Sequence, residues 1–432
     1  MNQALNRLLG ITEQALYLHD RAHPLHFALT AQVQGKIQLE SLKIALTHLQ
    51  QRHPLLRVGI TLDKNGNPYF VEQSKPIPVR VVSRQSAEHW EQELEAELVQ
   101  PFTSDDAPLL RMVWLYSVNI SELIITCHHA IADGLSVVNL IRDLLTVLGN
   151  PHQPLPSLPP PSPCEILLPD CQHQPAYIGQ TLAMKVLLGL KKRTDKSSPS
   201  RRNYPKLRVG SLSPNLTTAL IQRCRAENTT VHGVLCAAFG LAIAASETSK
   251  SSFNCFSPVN VRSFLTSAVT ENCGLYIFPA LSTNSLTPNL TLWELASSIK
   301  AQLRSQTTIE NLQSKAMEYE RLMAANPNPE MVLQLFKKYY GFDLMVTNLG
   351  RLNLPQQFGE LQLPALYGPA VMMGVENERV LGVTTLGNQI FFTFVYAESL
   401  SSTTTPHLPE LAIKLIETAI NTPSTSVSLT KK

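Results

Sequence analysis

Proline crowds into one short stretch of this chain. Of its 30 prolines, nine lie between Pro151 and Pro175. Proline fixes φ and has no amide hydrogen, so such a stretch is excluded from a central strand and from a helix interior. An extended crossover is the reading that remains. The length supports a division at that point, because 432 residues exceed the ~250–300 at which one hydrophobic core stops growing. The expected organisation is a first half over 1–150, a linker over 151–205 and a second half over 206–432. The linker ends in a basic, polar run, KKRTDKSSPSRR over 191–202. That run reads as a solvated loop, or as an electrostatic contact for an acidic carrier protein or a phosphorylated cofactor.

Both halves mix strand and helix periods. Phe27, Leu29, Ala31 and Val33 alternate as in a strand, whereas Leu42, Ala45, Leu46 and Leu49 recur at helical spacing. Asn65-Gly66 suggests a hairpin with a type I′ turn. Ser86 is placed to cap a helix carrying Trp90, Leu94 and Leu98. Met112–Val118 and Leu123–Cys127 read as strands flanking a polar turn, and Leu135–Leu148 as a helix. In the second half, Ser213-Pro214 starts a helix and Thr291-Leu-Trp-Glu294 is a capping box. Val231–Ala245 is too short to span a bilayer and reads as a buried core helix. Phe253–Phe256, Leu344–Thr347 and Ile390–Tyr396 read as strands, and Leu408–Ile420 as a terminal helix. The regular βαβ alternation of a doubly wound sheet is missing, so the expected class is α+β.

Composition narrows the function. Lys plus Arg number 36 against 33 Asp plus Glu, a net charge of +3, without the dense basic face that nucleic-acid binding needs. Seven cysteines with no CxxC spacing speak against a disulfide framework or a zinc ribbon, and reduced thiols point to the cytoplasm. The N-terminal residues carry no secretory signal pattern, and no apolar run is long enough for a transmembrane segment.

The densest chemistry lies in Cys127-His128-His129-Ala130-Ile131-Ala132-Asp133-Gly134, at a strand-to-helix transition. Three readings apply to it. The histidines can be structural. They can ligate a metal with Cys127 and Asp133, although adjacent strand residues point to opposite faces. Or one can act as a general base, since imidazole exchanges a proton near neutral pH. Gly134 would permit a tight turn where a Cβ would clash.

HHAIADG resembles the HHxxxDG signature of the condensation-domain and chloramphenicol-acetyltransferase-like acyltransferase superfamily. Arg52-His53-Pro54-Leu55-Leu56-Arg57 is similar to that family's RHPxLR segment, and Pro101-Phe102 with Pro108-Leu109-Leu110-Arg111 to its PF…PLLR segment. Ser257-Pro258-Val259-Asn260-Val261-Arg262, followed by Asn272-Cys273-Gly274, resembles its PVxxR…G segment, and Thr347-Asn348-Leu349-Gly350 its SNxG segment. The segments follow family order over nearly the whole chain. Leu135 stands where peptide-synthetase members usually carry Trp, and the DFGWG and NVPGP segments of two other branches are missing. The chain therefore looks most like the free-standing, polyketide-associated, alcohol-acylating branch.

The resemblance implies two chloramphenicol-acetyltransferase-like halves in a V-shaped pseudo-dimer, with mixed sheets and a central tunnel. It implies His129 as general base, taking a proton from an alcohol or amine acceptor and returning it to the departing thiolate, without a covalent acyl-enzyme. The donor would be acyl-CoA or a phosphopantetheine-linked thioester, with an acyl carrier protein as a partner and no permanently bound cofactor or metal. His128 would pack beside the base. Asp133 would pair with an arginine, Arg262 as first choice and Arg57 as second. Asn348 would orient the nucleophile or the developing oxyanion, or simply sit in a turn before Gly350. Gly274 would allow close approach of the acyl chain or pantetheine arm, or simply be an ordinary turn glycine, with Gly350 on the same tunnel. A monomer is expected, since two halves in one chain form the site. Relatives with the same motif also form amides or epimerise carrier-bound substrates, and a non-catalytic carrier-docking module would keep the same fold.

Overall fold

The computed structural model describes residues 5–422, apart from 104–105, 154, 170–203, 248–249, 268, 270 and 288. The basic run at 191–202 and the end of the proline stretch lie outside the described residues.

Two six-stranded mixed sheets organise the chain. The first is built from β2 (Phe27–Gln34), β5 (Val79–Ser83), β6 (Leu110–Tyr116), β7 (Ile120–Cys127), β12 (Gln357–Phe358) and β13 (Leu361–Val371). Their spatial order is β12-β13-β2-β7-β6-β5, antiparallel except for the β5–β6 pair. The second holds β8 (Pro205–Leu212), β9 (Ser252–Asn260), β10 (Ile277–Ser285), β11 (Leu344–Arg351), β14 (Arg379–Leu386) and β15 (Gln389–Ala397), in the order β10-β9-β11-β14-β15-β8. There β11 runs parallel to both of its neighbours. A small sheet joins β1 (Arg7–Leu8), β3 (Val58–Leu62) and β4 (Pro68–Glu72).

The sheets do not divide where the linker does. β12 and β13 come from the second half of the sequence but complete the first sheet, β13 pairing with β2 from Gln362↔Gln34 to Val371↔Phe27. Pairing is set by register and burial rather than by sequence order, and all but two residues of β13's Leu363–Val371 segment are buried. This crossing strand ties the halves together through its ladder with β2.

The helical periods are realised. Leu42, Ala45, Leu46 and Leu49 are buried on α2 (Leu39–Arg52), and Trp90, Leu94 and Leu98 on α3 (His89–Val99). Helix Val231–Ser246 is buried from Gly233 to Gly240 without a break, the environment an apolar helix requires. Ser213 caps its helix through the Leu216 N–H, and Thr291 and Glu294 form the capping box. Among the described residues no single helix is long and apolar enough to cross a membrane.

Two local expectations are corrected. α3 starts two residues later than Ser86 would place it, with Glu88 at the N-cap; the Ser86 hydroxyl accepts the Glu88 N–H at 3.2 Å in the preceding bend. The β3–β4 turn is not type I′, which requires positive φ at both central residues. Gly66 has φ +82° but Asn65 does not, and the loop is instead organised by the Asp63 carboxylate, which accepts the N–H groups of Asn65 and Asn67 at 2.8 Å each. The described part of the linker runs extended over the first half, where Arg52 donates to the Pro156 carbonyl at 2.5 Å. One helical turn, α5 (Cys164–Leu167), interrupts it just past Pro163.

Candidate active site

The turn 128–133 connects β7 to α4 (Gly134–Gly149), and its polar residues diverge. The His128 ring points into the first half. Its Nδ1 accepts the Ala130 N–H at 3.0 Å and its Nε2 faces Asp20 Oδ2 at 3.5 Å. Burial alone would raise the Asp20 carboxyl, but the His128 imidazole and the Leu25 N–H outweigh it and hold Asp20 down to about 2. With the Ala130 N–H aimed at Nδ1, that nitrogen accepts and the hydrogen sits on Nε2, facing Asp20.

His129 points the other way, into a cavity of about 350 Å³ between the two sheets. Its ring stacks on Phe27 with centroids 4.3 Å apart, and Nδ1 lies 3.2 Å from the Ala132 carbonyl. A carbonyl only accepts, so Nδ1 carries the hydrogen and Nε2 carries the lone pair. Among the described residues nothing bonds Nε2. Burial pushes the imidazole down to about 4, against a smaller opposing effect of the Ala132 carbonyl. The ring is therefore neutral at neutral pH, the state a base needs.

Asp133 is the most heavily bonded group of the turn. It caps α4 through the Ser136 N–H at 2.9 Å. It meets Arg262 in a bidentate pair, Nη1 to Oδ2 at 2.8 Å and Nη2 to Oδ1 at 2.9 Å, and accepts the Tyr276 N–H at 2.9 Å. Burial opposes its charge, and Arg262 with the backbone donors more than offsets that, holding the carboxyl below its ordinary value. The Asp133 N–H donates to the Gly274 carbonyl at 3.0 Å, and the Ser136 hydroxyl donates to the same oxygen at 2.8 Å. Asp133 thus belongs to a latch joining α4 to the second sheet. Ser136 and Tyr276, which sequence reasoning missed, are part of it, and neither carries a motif that could have announced it.

Arg262 is the expected partner of Asp133. Arg57 is not: it pairs with Glu72 at 2.7 Å, where it fastens the small sheet. Gly274 does not line the cavity. A Cβ there would come within 2.7 Å of the Tyr276 ring, so the glycine lets that ring lie against the backbone. Gly134 has negative φ, and its Cβ would meet the Leu349 side chain at 2.6 Å, so the glycine serves close packing against Leu349 rather than turn geometry.

Asn348 and Gly350 do line the cavity. The β11–β14 register shifts between Asn348 and Arg351, a bulge that re-aims the strand. Asn348 Oδ1 accepts the Gly350 N–H at 2.8 Å, and Gly350 has φ +71°. The turn reading thus holds for the carbonyl oxygen of the amide, and its NH₂ remains available to the cavity. Leu16, Leu25, Phe27, Phe256 and Met345 give the rest of the wall an apolar character. Among the described residues no three His, Cys, Asp or Glu side chains gather as metal ligands.

Comparison with known proteins bears on family and fold. A family model described as "Condensation domain" matches residues 15–428. Gramicidin S synthase 2 of Brevibacillus brevis is 32% identical over 113 residues, which is 26% of this chain and 2% of that protein. Probable alcohol acetyltransferase FCK4 of Fusarium pseudograminearum (strain CS3096) is 24% identical over 224 residues, 45% of this chain and 46% of the relative. The chain therefore spans a small part of the synthase and less than half of the acetyltransferase. Among solved structures, polyketide synthase associated protein 5 from Mycobacterium tuberculosis superposes with a TM-score of 0.66 at 16% identity, covering 96% of this chain and 98% of that one. The first condensation domain of the CDA synthetase gives 0.68 at 14%, covering 97% of each chain. These likenesses show the shared fold of mixed sheets.

Proposed function

Because the chain belongs to the condensation-domain family, we propose that it is an acyltransferase which moves an acyl group from a carrier-protein or coenzyme A thioester to an alcohol. The observation that carries this reading is the state of His129: Nδ1 bound to the Ala132 carbonyl, Nε2 unbonded, and the ring on the wall of a largely apolar cavity.

In the proposed reaction Nε2 takes the hydroxyl proton as the alcohol oxygen bonds to the thioester carbonyl carbon. The tetrahedral intermediate collapses, the C–S bond breaks, and the imidazolium returns the proton to the thiolate. No group on the protein is acylated. General base catalysis of this kind contributes about 10²–10⁴-fold. The Asn348 amide NH₂ is the donor placed to orient the alcohol or to stabilise the oxyanion. Asp133 acts at one remove, by holding α4 against the second sheet and so fixing the turn that carries His129.

The test is to supply acyl-pantetheine thioesters with matched primary alcohols and primary amines and to identify the product by mass. The reading predicts an ester and free thiol in equal amounts. Amide formation with no ester would overturn the choice of acceptor, and thioester left intact with both acceptors would overturn the enzymatic reading.

A further inference from the structure

Glu378 is 0% exposed, and among the described residues no ion pair holds it. A carboxyl placed so deep is costly unless its bonds are specific. Burial raises it to about 8, while backbone N–H groups pull the other way. Those groups are the N–H of Met373, that of Gly374 at 3.0 Å, and that of Val375. The Met373 carbonyl is taken by a second buried group, accepting the His19 Nε2–H at 2.9 Å. Both polar backbone groups of Met373 are thus gripped by side chains that the proposed chemistry does not use.

The grip has a consequence for the cavity, because Met373 is part of its wall. His19 lies on α1 (Ile11–Ala22), the helix that also contributes Ala15 and Leu16 to that wall. The His19 ring meets Phe336 edge-on at 5.0 Å, and Phe336 in turn packs edge-on against Phe256 at 5.6 Å. Gly374, at φ +77°, sits so close to His23 that a Cβ would come within 2.6 Å of its ring. The Met373 loop is therefore held on three sides. Asp133 and Arg262, the ionic groups on the cavity wall, neutralise each other in a bidentate pair, with only the Arg262 Nε–H left unpaired among the described residues. About 350 Å³ is at the lower end of the ~300–1,000 Å³ typical of ligand pockets.

We propose that Met373 and Phe336 are specificity-determining residues that close the apolar end of the cavity and restrict it to a short or medium, uncharged acyl chain, with Glu378 and His19 as positioning residues for Met373. The identity of the chain as an acyl group rests on the acyltransferase reading; the wall itself does not.

The experiment measures kcat and KM for acetyl-, butyryl-, octanoyl- and dodecanoyl-pantetheine, and Kd for the matching uncleavable S-alkyl pantetheine thioethers. It compares the wild-type protein with Met373→Ala, Phe336→Ala and Glu378→Gln, each first shown by thermal unfolding to be folded. Apolar pockets discriminate by about 10–200-fold per methylene. Met373→Ala and Phe336→Ala should each move the preferred chain length upward and improve KM for the longest thioester by at least about tenfold. Glu378→Gln should shift the profile in the same direction while leaving kcat for the preferred thioester nearly unchanged, a split that general loosening would not give. Should Glu378→Gln fail to fold, Phe336→Ala, on a half-buried helix position, decides the matter alone. Folded wall variants with unchanged KM and Kd profiles would overturn the proposal. Shifted Kd profiles without turnover of any thioester would support the wall and overturn the acyltransferase reading instead.

Discussion

His129 and Asp133 are four residues apart on one turn and treat their polar atoms in opposite ways. Asp133 commits both oxygens to Arg262 and also accepts the Ser136 and Tyr276 N–H groups. His129 commits one nitrogen to the Ala132 carbonyl and leaves the other facing the cavity. A group with every bond satisfied contributes to stability and is poorly placed to react. A buried group with one site unpaired contributes little to stability and keeps its lone pair for substrate. In the proposed reaction the short turn therefore joins a structural latch to the base, and the first sets the position of the second.

The largest expected effect comes from breaking the latch. Asp133→Ala leaves Arg262 buried without its partner, and a buried pair broken on one side costs about 3–5 kcal/mol. Urea unfolding should show that loss, and Arg262→Ala should show a similar one. If Asp133→Ala unfolds at the wild-type midpoint yet has no activity, Asp133 belongs with His129 rather than opposite it.

His128 tests whether the adjacent histidines divide the work. His128→Ala leaves Asp20 buried without its imidazole, a penalty of about 1–3 kcal/mol. Transfer should weaken through misplacement of the turn but not vanish. A loss of transfer equal to that of a His129 variant, at unchanged stability, would undo the division.

Acid separates the groups by sign. Burial holds His19, His26, His129 and His232 down to about 4. Each is neutral in the folded protein and takes up a proton more readily when unfolded, where the ordinary value is about 6.5. Their stability contribution is complete above about 6.5 and is lost as pH falls from there through about 4. Glu378, raised to about 8, acts with the opposite sign over part of this window, but four histidines outweigh one carboxyl, so equilibrium unfolding between neutral pH and pH about 4 should show a falling midpoint, and removing His26 should flatten the slope without touching the cavity. Stability that rises as pH falls through this window would contradict the neutral assignment.

The smallest effect is expected at the arginine that the latch does not use. Arg57→Ala breaks a pair with Glu72 whose partners are both partly exposed, worth about 0–1 kcal/mol, and should leave transfer unchanged. A loss of transfer there would mean that the latch extends to the small sheet.

The motif, its Arg262 partner and the Ser213 and Thr291 helix caps were legible in the sequence because each is a local pattern or part of an ordered family segment. The Asp20 partner of His128 was not: it lies on α1, far off in the sequence, and a lone aspartate carries no spacing signal. The place of Gly274 was not legible because its reason is the Tyr276 ring, a contact that sequence order conceals. The crossing of β13 into the first sheet was hidden for the same cause. Its apolar run fits a buried strand in either sheet, and only the ladder with β2 decides which.

The central claim is that Nε2 of His129 is the base. It is tested most directly by kcat/KM for thioester-to-alcohol transfer in His129→Ala, measured beside the urea midpoint of the same protein. The account predicts a fall of about 10²–10⁴-fold with the midpoint close to wild type. Transfer at the wild-type rate in the folded variant would contradict it.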